Sequence, residues 1–300
     1  MSRITLVEKY FQKKQLLAIT NTSYAKHLTD LFLWITKADD VENDKTVVNL
    51  PLKKAGTARI ISKQNGIIAG IEEITYLLKQ HTKLLSITSV ADGMQVSKDQ
   101  SILTLIGSSR ELLGFERTIL NIVGRMSGIA TFTHNLHNQS LAATRKTPWM
   151  FLDKKAVAIG GGLTHRPALS DFVLIKNNHL ALVKESVEET VKRMIATGIF
   201  FEIEVRTLKE AFIVIKTFEE AKKPPSLIMA IMLDNFTPKT ATMFVREMQK
   251  NPLYQNILIE ASGEITKKNL PVWEKTGVDV LSMGSLTHSV PTFNLSMIIN

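Results

Sequence analysis

FFEIEV at residues 200–205 and IMAIMLD at residues 228–234 are the stretches on which the fold turns. Each is an apolar run too short for a helix and long enough for a strand. Each also carries acid: Glu202 and Glu204 in the first, Asp234 at the end of the second. Four further runs of this kind recur at nearly constant intervals. Leu141 to Ala143 is followed by Arg145 and Lys146, Phe172 to Ile175 by Lys176, Ile257 to Ala261 by Ser262, and Val278 to Met283 by Gly284. Between the runs lie longer stretches with apolar residues three and four apart, such as Val187, Val191, Met194 and Ile195, which is the helical period. Strand, helix, strand at this repeat is a string of βα units, whose parallel strands curl or close with their carboxyl ends on one face. One rim then gathers basic residues, two carboxylates and small residues, which is a site for a multiply charged anion.

The bulk composition is compatible with this. The chain has 300 residues, 44% hydrophobic and 22% charged, enough to bury a large core in one big or two medium domains. It has no cysteine, which excludes disulfides, thiolate metal sites and a cysteine nucleophile. No apolar stretch approaches the roughly 20 residues needed to cross a bilayer, and the amino terminus is unlike a secretory signal, so no membrane association and a cytoplasmic location are expected. The formal net charge of +9 invites a nucleic-acid reading. However, the lysine pairs at 13–14, 53–54, 154–155, 222–223 and 267–268 are scattered, which reads as a solvated surface and not as a nucleic-acid footprint.

The first half reads differently. Helical spacing from Leu6 to Trp34 predicts one or two helices, and the acidic stretch around Asp39, Asp40, Glu42 and Asp44 reads as a solvated loop. Residues 56–70 alternate and contain Asn65-Gly66, a hairpin signal. A helix over 71–80 and strands over 84–90 and 101–106, joined through Asp92-Gly93, complete an α+β unit. A helix over 111–126 leads into the βα repeats, and the strand-like stretch 293–299 is expected to return to the amino-terminal sheet. The predicted division is therefore residues 1–115, with 288–300 returning to them, and residues 116–287.

Several residues stand out chemically. Arg117 follows Glu116 on an apolar helix and is either a surface pair or a guanidinium aimed at a partner subunit or ligand. Arg145 and Lys146 face the functional rim, where arginine suits carboxylate or phosphate. Gly160-Gly161-Gly162 before His165-Arg166 marks either close backbone approach to a ligand or a tight turn. Glu204 and Asp234 end consecutive strands and fit Mg²⁺, ribose hydroxyls or acid–base work. Glu202 shares the parity of Glu204, so periodicity does not choose between them, but Glu204 lies nearer the functional end. Ser262-Gly263 and Gly284-Ser285 offer hydroxyls and amides where barrels bind phosphate.

From Ala55 onward the chain resembles quinolinate phosphoribosyltransferases. The resemblance rests on FERTILN around Arg117, TRKT around Lys146, GGGLTHR ending at Arg166, LIKNNH around Lys176, EIEV around Glu204, IMLDNF around Asp234, EASG around Ser262 and SMGSLTHS around Gly284, eight motifs in order. It implies an α/β fold, with an amino-terminal α/β sandwich and an incomplete parallel α/β barrel. It also implies transfer of phosphoribose from phosphoribosyl pyrophosphate to quinolinate with Mg²⁺, yielding nicotinate mononucleotide, pyrophosphate and CO₂. The implied assembly is a homodimer or higher oligomer with shared sites, in which Arg117 enters the neighbour's site. Arg145, His165, Arg166 and Lys176 are then expected around the dicarboxylate. Lys146, Glu204 and Asp234 are expected at the pyrophosphate, metal and ribose, and Ser262, Gly263, Gly284 and Ser285 at the 5′-phosphate. Lys146, Lys176, Glu204 and Asp234 are the expected catalytic set. Asn177 stands where the family usually has aspartate, and Glu264 where it has a second glycine.

Rival readings are a related phosphoribosyltransferase acting on nicotinate or another small anionic acceptor, a Schiff-base aldolase with Lys176 as nucleophile, and a nucleotide sensor without activity. The cation cluster favours the dicarboxylate over nicotinate, and retention of both carboxylates argues against a sensor.

Overall fold

A computed structural model describes residues 1–300. Its strands, in chain order, are β1 (Ala55–Ser62), β2 (Gly66–Ile67), β3 (Ser86–Ser89), β4 (Gln95–Val96), β5 (Ser101–Ser108), β6 (Leu141–Ala143), β7 (Val173–Ile175), β8 (Phe201–Val205), β9 (Met229–Asp234), β10 (Ile257–Ser262), β11 (Val280–Met283) and β12 (Leu295–Ile299). The six expected βα strands are all present, each within two residues of its predicted limits. They form one parallel sheet in the order β6-β11-β10-β9-β8-β7, curled into a half-barrel. Helices Val187–Thr197, Leu208–Glu220 and Pro238–Met248 connect strands β7 to β10, and each starts on a hydroxyl cap, Ser186, Thr207 or Thr237. Such caps satisfy amide hydrogens that the first helical turn leaves open.

Every other residue of each strand faces inward, and this inner layer is small: Ala142, Leu174, Ala230, Leu258 and Val280. The space left is filled from the opposite end of the chain. Helix Arg3–Phe11 places Leu6, Val7 and Phe11 against these residues, with Phe11 fully buried. Arg3 fixes the helix by donating from Nε to Asp279 at 2.7 Å and from Nη2 to the Ile257 carbonyl at 2.9 Å, with its guanidinium over the Tyr254 ring. The predicted border at residues 115 and 116 is therefore replaced by an interleaved one. One compact unit comprises Met1–Lys13, Gln139–Lys146 and Leu163–Ser285, and the other Lys14–Asn138, Thr147–Gly162 and Leu286–Asn300.

The second unit holds an antiparallel sheet in the order β12-β1-β5-β3. Strand β12 does pair with β1, from Ala58 opposite Ile299 to Ser62 opposite Leu295. Asn65-Gly66 does not make a hairpin of β1 and β2, because β1 is already flanked by β5 and β12 and β2 pairs with β4. The helix predicted over 111–126 is two helices, Ser109–Gly114 and Glu116–His134. The longer one belongs to this unit and not to the half-barrel, because its buried face packs here. Thr131 and Ser127 hydroxyls receive the Ile67 and Ala69 amides at 2.9 and 3.0 Å, and a side chain at Gly128 would strike the Pro291 carbonyl at 2.3 Å.

One surface expectation differs from the structure and another agrees with it. Lys154 and Lys155 are buried, and Lys155 pairs with Glu72 and Glu73 while Tyr24 donates to Glu73 at 2.8 Å. A buried ammonium needs such partners, since desolvation otherwise costs several kcal/mol. By contrast, Asp39, Asp40 and Glu42 are exposed, and Asp44 caps helix Lys45–Asn49. No helix is long and apolar enough to cross a membrane.

Candidate active site

The predicted rim exists at the carboxyl ends of the six parallel strands. Backbone register sets its layers: Glu204 lies beside Met232, Asp234 beside Ser262, and Ser262 beside Ser282. Lys176 follows β7 and Glu204 lies near the end of β8, which brings Lys176 Nζ to 3.5 Å from Glu204 Oε2. Asn177 donates to Glu204 Oε1 at 2.5 Å. An aspartate here would place a third carboxylate against Glu204, whereas the amide donates to it, so Asn177 is a partner of Glu204. On β9, Asp234 receives Asn235 Nδ2 at 3.0 Å and faces Arg206 Nε at 3.6 Å. Burial and the negative charge of Glu204 raise the Asp234 pKa, against the opposing pull of Arg206 and Lys176. Two carboxylates that repel each other at a mouth otherwise lined by cations fit a hard divalent cation, held by Glu204 and Asp234 directly or through water.

Arg145 and Lys146 are exposed where β6 ends, and Arg166 is buried. The Arg166 pKa is lowered by burial and then by the positive charge of Arg145, so the two guanidiniums lie close enough to repel. Such a pair is relieved by an anion with two charged groups. Arg166 also donates to the Phe172 carbonyl at 3.3 Å.

The turn after β10 is built from left-handed backbone. Gly263 has φ +102°, and a side chain there would meet Asn235 Oδ1 at 2.2 Å. Glu264 is left-handed as well, at φ +47°, which explains why glycine is the unstrained choice at that position. Ser285 Oγ is buried without a hydrogen-bond partner. The triple glycine, however, is a turn and packing element. Gly160 ends helix Phe151–Ile159, a side chain on it would collide with the Ala130 carbonyl at 2.5 Å, and Gly161 turns at φ +95°. Those three residues lie in the second compact unit, as does Arg117, whose exposed guanidinium pairs with Glu116 at 3.0 Å.

Below the rim lies a charged layer of three residues, two of which, His165 and Glu202, already stood out in the sequence. His165 and both Glu202 and Glu260 are buried, with His165 Nε2 3.0 Å from Glu260 and 3.4 Å from Glu202. Burial disfavours charge on the His165 ring, while the negative charges of Glu260 and Glu202 work the other way and draw a proton to the nitrogen that faces them. Nδ1, meanwhile, accepts the Arg166 amide at 2.8 Å, which an imidazolium with hydrogen on Nδ1 would not allow. The amide contact fixes where the proton sits: on Nε2, facing Glu260. Burial and the Glu260 charge raise Glu202 to about 7, so it is the carboxyl of the pair that takes a proton, whereas His165 lowers Glu260. Glu260 was not predicted. The available signal was an acid in a run whose neighbours Ile259 and Ala261 are apolar, the same signal that Glu202 gives.

Family models described as the N-terminal and C-terminal domains of quinolinate phosphoribosyl transferase match residues 40–127 and 128–298, so the likeness reaches further back than Ala55. A probable nicotinate-nucleotide pyrophosphorylase [carboxylating] of Methanothermobacter thermautotrophicus is 34% identical over 253 residues, covering 80% of this chain and 87% of that protein. One of the same name from Bacillus subtilis is 36% identical over 252 residues, covering 80% and 82%. The structure of the nicotinate-nucleotide pyrophosphorylase from Francisella tularensis superposes with a TM-score of 0.79 at 29% identity, covering 91% of this chain and 96% of that one.

Proposed function

The chain belongs to the quinolinate phosphoribosyltransferase family, and from that membership we propose that it transfers phosphoribose from phosphoribosyl pyrophosphate to quinolinate, releasing pyrophosphate and CO₂ and forming nicotinate mononucleotide for NAD biosynthesis. The observation that carries the reading is the pairing, on one rim, of the repelling guanidiniums of Arg145 and Arg166 with the repelling carboxylates Glu204 and Asp234. The first pair suits a dicarboxylate, and the second suits a ribose that becomes cationic as pyrophosphate leaves.

In this scheme Arg145 and Arg166 orient quinolinate so that its ring nitrogen faces the ribose anomeric carbon, which removes most of the entropic barrier. Glu204 and Asp234 stabilise the oxocarbenium-like ribose, Lys146 neutralises the departing pyrophosphate, and Lys176 lies with the arginines around the dicarboxylate. Bound at Glu204 and Asp234, partly through substrate, Mg²⁺ would supply further charge neutralisation. The carbon–oxygen bond to pyrophosphate breaks and the ring nitrogen bonds to ribose. The pyridinium so formed accepts the electron pair released when the adjacent carboxylate leaves as CO₂, and that carbon then takes a proton. Ser262, Gly263, Gly284 and Ser285 are assigned to the 5′-phosphate.

Mass-spectrometric detection of product tests the reading. Quinolinate is expected to give nicotinate mononucleotide at least about tenfold faster than nicotinate does, since a mono-acid leaves one guanidinium unpaired. Faster turnover of nicotinate would overturn the quinolinate assignment, and a borohydride-trapped adduct on Lys176 would point to aldolase chemistry instead.

A homodimer with Arg117 reaching the neighbouring site is part of the same proposal, supported by the exposure of that guanidinium. Arg117→Ala and Lys146→Ala subunits should each be inactive, yet random mixing should recover about a quarter of wild-type activity, because half the dimers are hybrids with one complete site. No recovery would place Arg117 outside the site.

A further inference from the structure

Glu260 has no role in the scheme above, yet it is a carboxylate at the centre of a barrel, and burying charge there is costly unless the group has work and a partner. Its partner is His165 Nε2 at 3.0 Å. On the other side of the ring, Nδ1 takes the amide hydrogen of Arg166 at 2.8 Å. Both ring nitrogens are thereby engaged within the chain, and the ring is walled by Phe11 and Phe172, with centroids 5.0 and 5.3 Å away. The imidazole therefore has no nitrogen left to offer a substrate.

The backbone at His165 is left-handed, φ +52°, a conformation uncommon for residues with a side chain, although histidine adopts it more readily than most. The next residue is Arg166, whose guanidinium feels the positive charge of Arg145. A run of contacts thus leads from Glu260 through both faces of the imidazole to the amide of the arginine assigned to the acceptor.

His165, Glu202 and Glu260 also offer one ligand atom each within 4.8 Å of one another, the spacing of a metal site. The Arg166 amide argues against metal. Coordination at Nε2 would require the imidazole hydrogen on Nδ1, and that position already accepts a hydrogen bond.

Resting on the phosphoribosyltransferase reading, we propose that Glu260 is a positioning residue for acceptor binding: it holds His165 in the Nε2–H tautomer, and His165 in turn holds the left-handed turn that places Arg166. His165 then acts through Arg166 and not as a substrate ligand. Glu202, with both carboxylate oxygens lacking a hydrogen-bond partner and Nε2 3.4 Å away, backs the same ring from the next strand but one.

The test combines kinetics with long-range ¹H–¹⁵N NMR of the imidazoles, using whichever acceptor the wild-type enzyme turns over. The chain has seven histidines, and a His165→Gln spectrum assigns the signal. Wild type is expected to show His165 as the Nε2–H tautomer. Glu260→Gln keeps an accepting oxygen, so it should preserve that signal and leave the acceptor KM within about twofold. Glu260→Leu should lose the tautomer bias and raise the acceptor KM by about tenfold or more, with the KM for phosphoribosyl pyrophosphate within about twofold and melting still cooperative. Should the leucine variant not fold, Glu260→Ala carries the same comparison. An unchanged tautomer or unchanged acceptor KM in the Leu or Ala variant would overturn the proposal, as would stoichiometric metal in the purified protein that Glu260→Gln loses. If quinolinate proves inert, the proposed reaction fails, while the histidine signal still decides the role of Glu260.

Discussion

Asp234→Ala is expected to lower kcat about a thousandfold while leaving the melting temperature nearly unchanged. The size follows from position: Asp234 ends β9 beside Glu204, where positive charge grows as pyrophosphate departs, and removing one preoriented electrostatic partner typically costs two to three orders of magnitude. The fold should tolerate the change, since Asp234 is partly exposed and its contacts are with the neighbouring Asn235 and the exposed Arg206. Glu204→Ala and Lys146→Ala should fall in the same class. Steady-state turnover alongside thermal melting is the measurement. Turnover resembling that of wild type would remove Asp234 from its assigned role, and loss of cooperative melting would show that it serves the fold.

The second large effect is on stability and comes from a residue far from the rim in sequence. Phe11→Ala should destabilise the protein by about 3–5 kcal/mol in denaturant unfolding, because the ring is fully buried and the small inner layer around Ala142 and Ala230 cannot collapse to fill the void. Its ring also meets Phe172 and Phe200 edge-on, with centroids 5.9 Å away in both cases, so aromatic contacts are lost together with buried area. A change below about 1 kcal/mol would mean that Phe11 does not fill the half-barrel in solution.

What could be read in the chain beforehand follows from the range of the interactions involved. The βα strands were legible because an apolar run ending in a polar residue is a local pattern, and parity along β8 put Glu202 and Glu204 on one face. The place of Glu204 nearer the strand end was legible too, but the layer beneath it was not. The difference between Glu204 at the rim and Glu202 one layer below depends on neighbours in other strands and on His165. In the same way, helical spacing predicted one or two helices over Leu6 to Trp34, but the surface that the first of them, Arg3–Phe11, covers is set by Ala142 and Ala230, more than a hundred residues away. Lys155 read as solvated because its partners Glu72 and Glu73 are also remote, Glu72 being 83 residues away. The glycine run was ambiguous because turns, helix packing and ligand approach all call for a missing side chain, and only the Ala130 carbonyl facing Gly160 separates them.

The interleaving of the two compact units bears on how the chain is made. The half-barrel draws on the first thirteen residues and is not closed until Ser285, and the small sheet lacks its outer strand until Leu295–Ile299 has been synthesised. Neither unit can be completed while most of the polypeptide is still on the ribosome, so domain-by-domain maturation during translation is closed to this protein. Phe11 and its neighbours therefore wait, unburied, for the strands that will receive them.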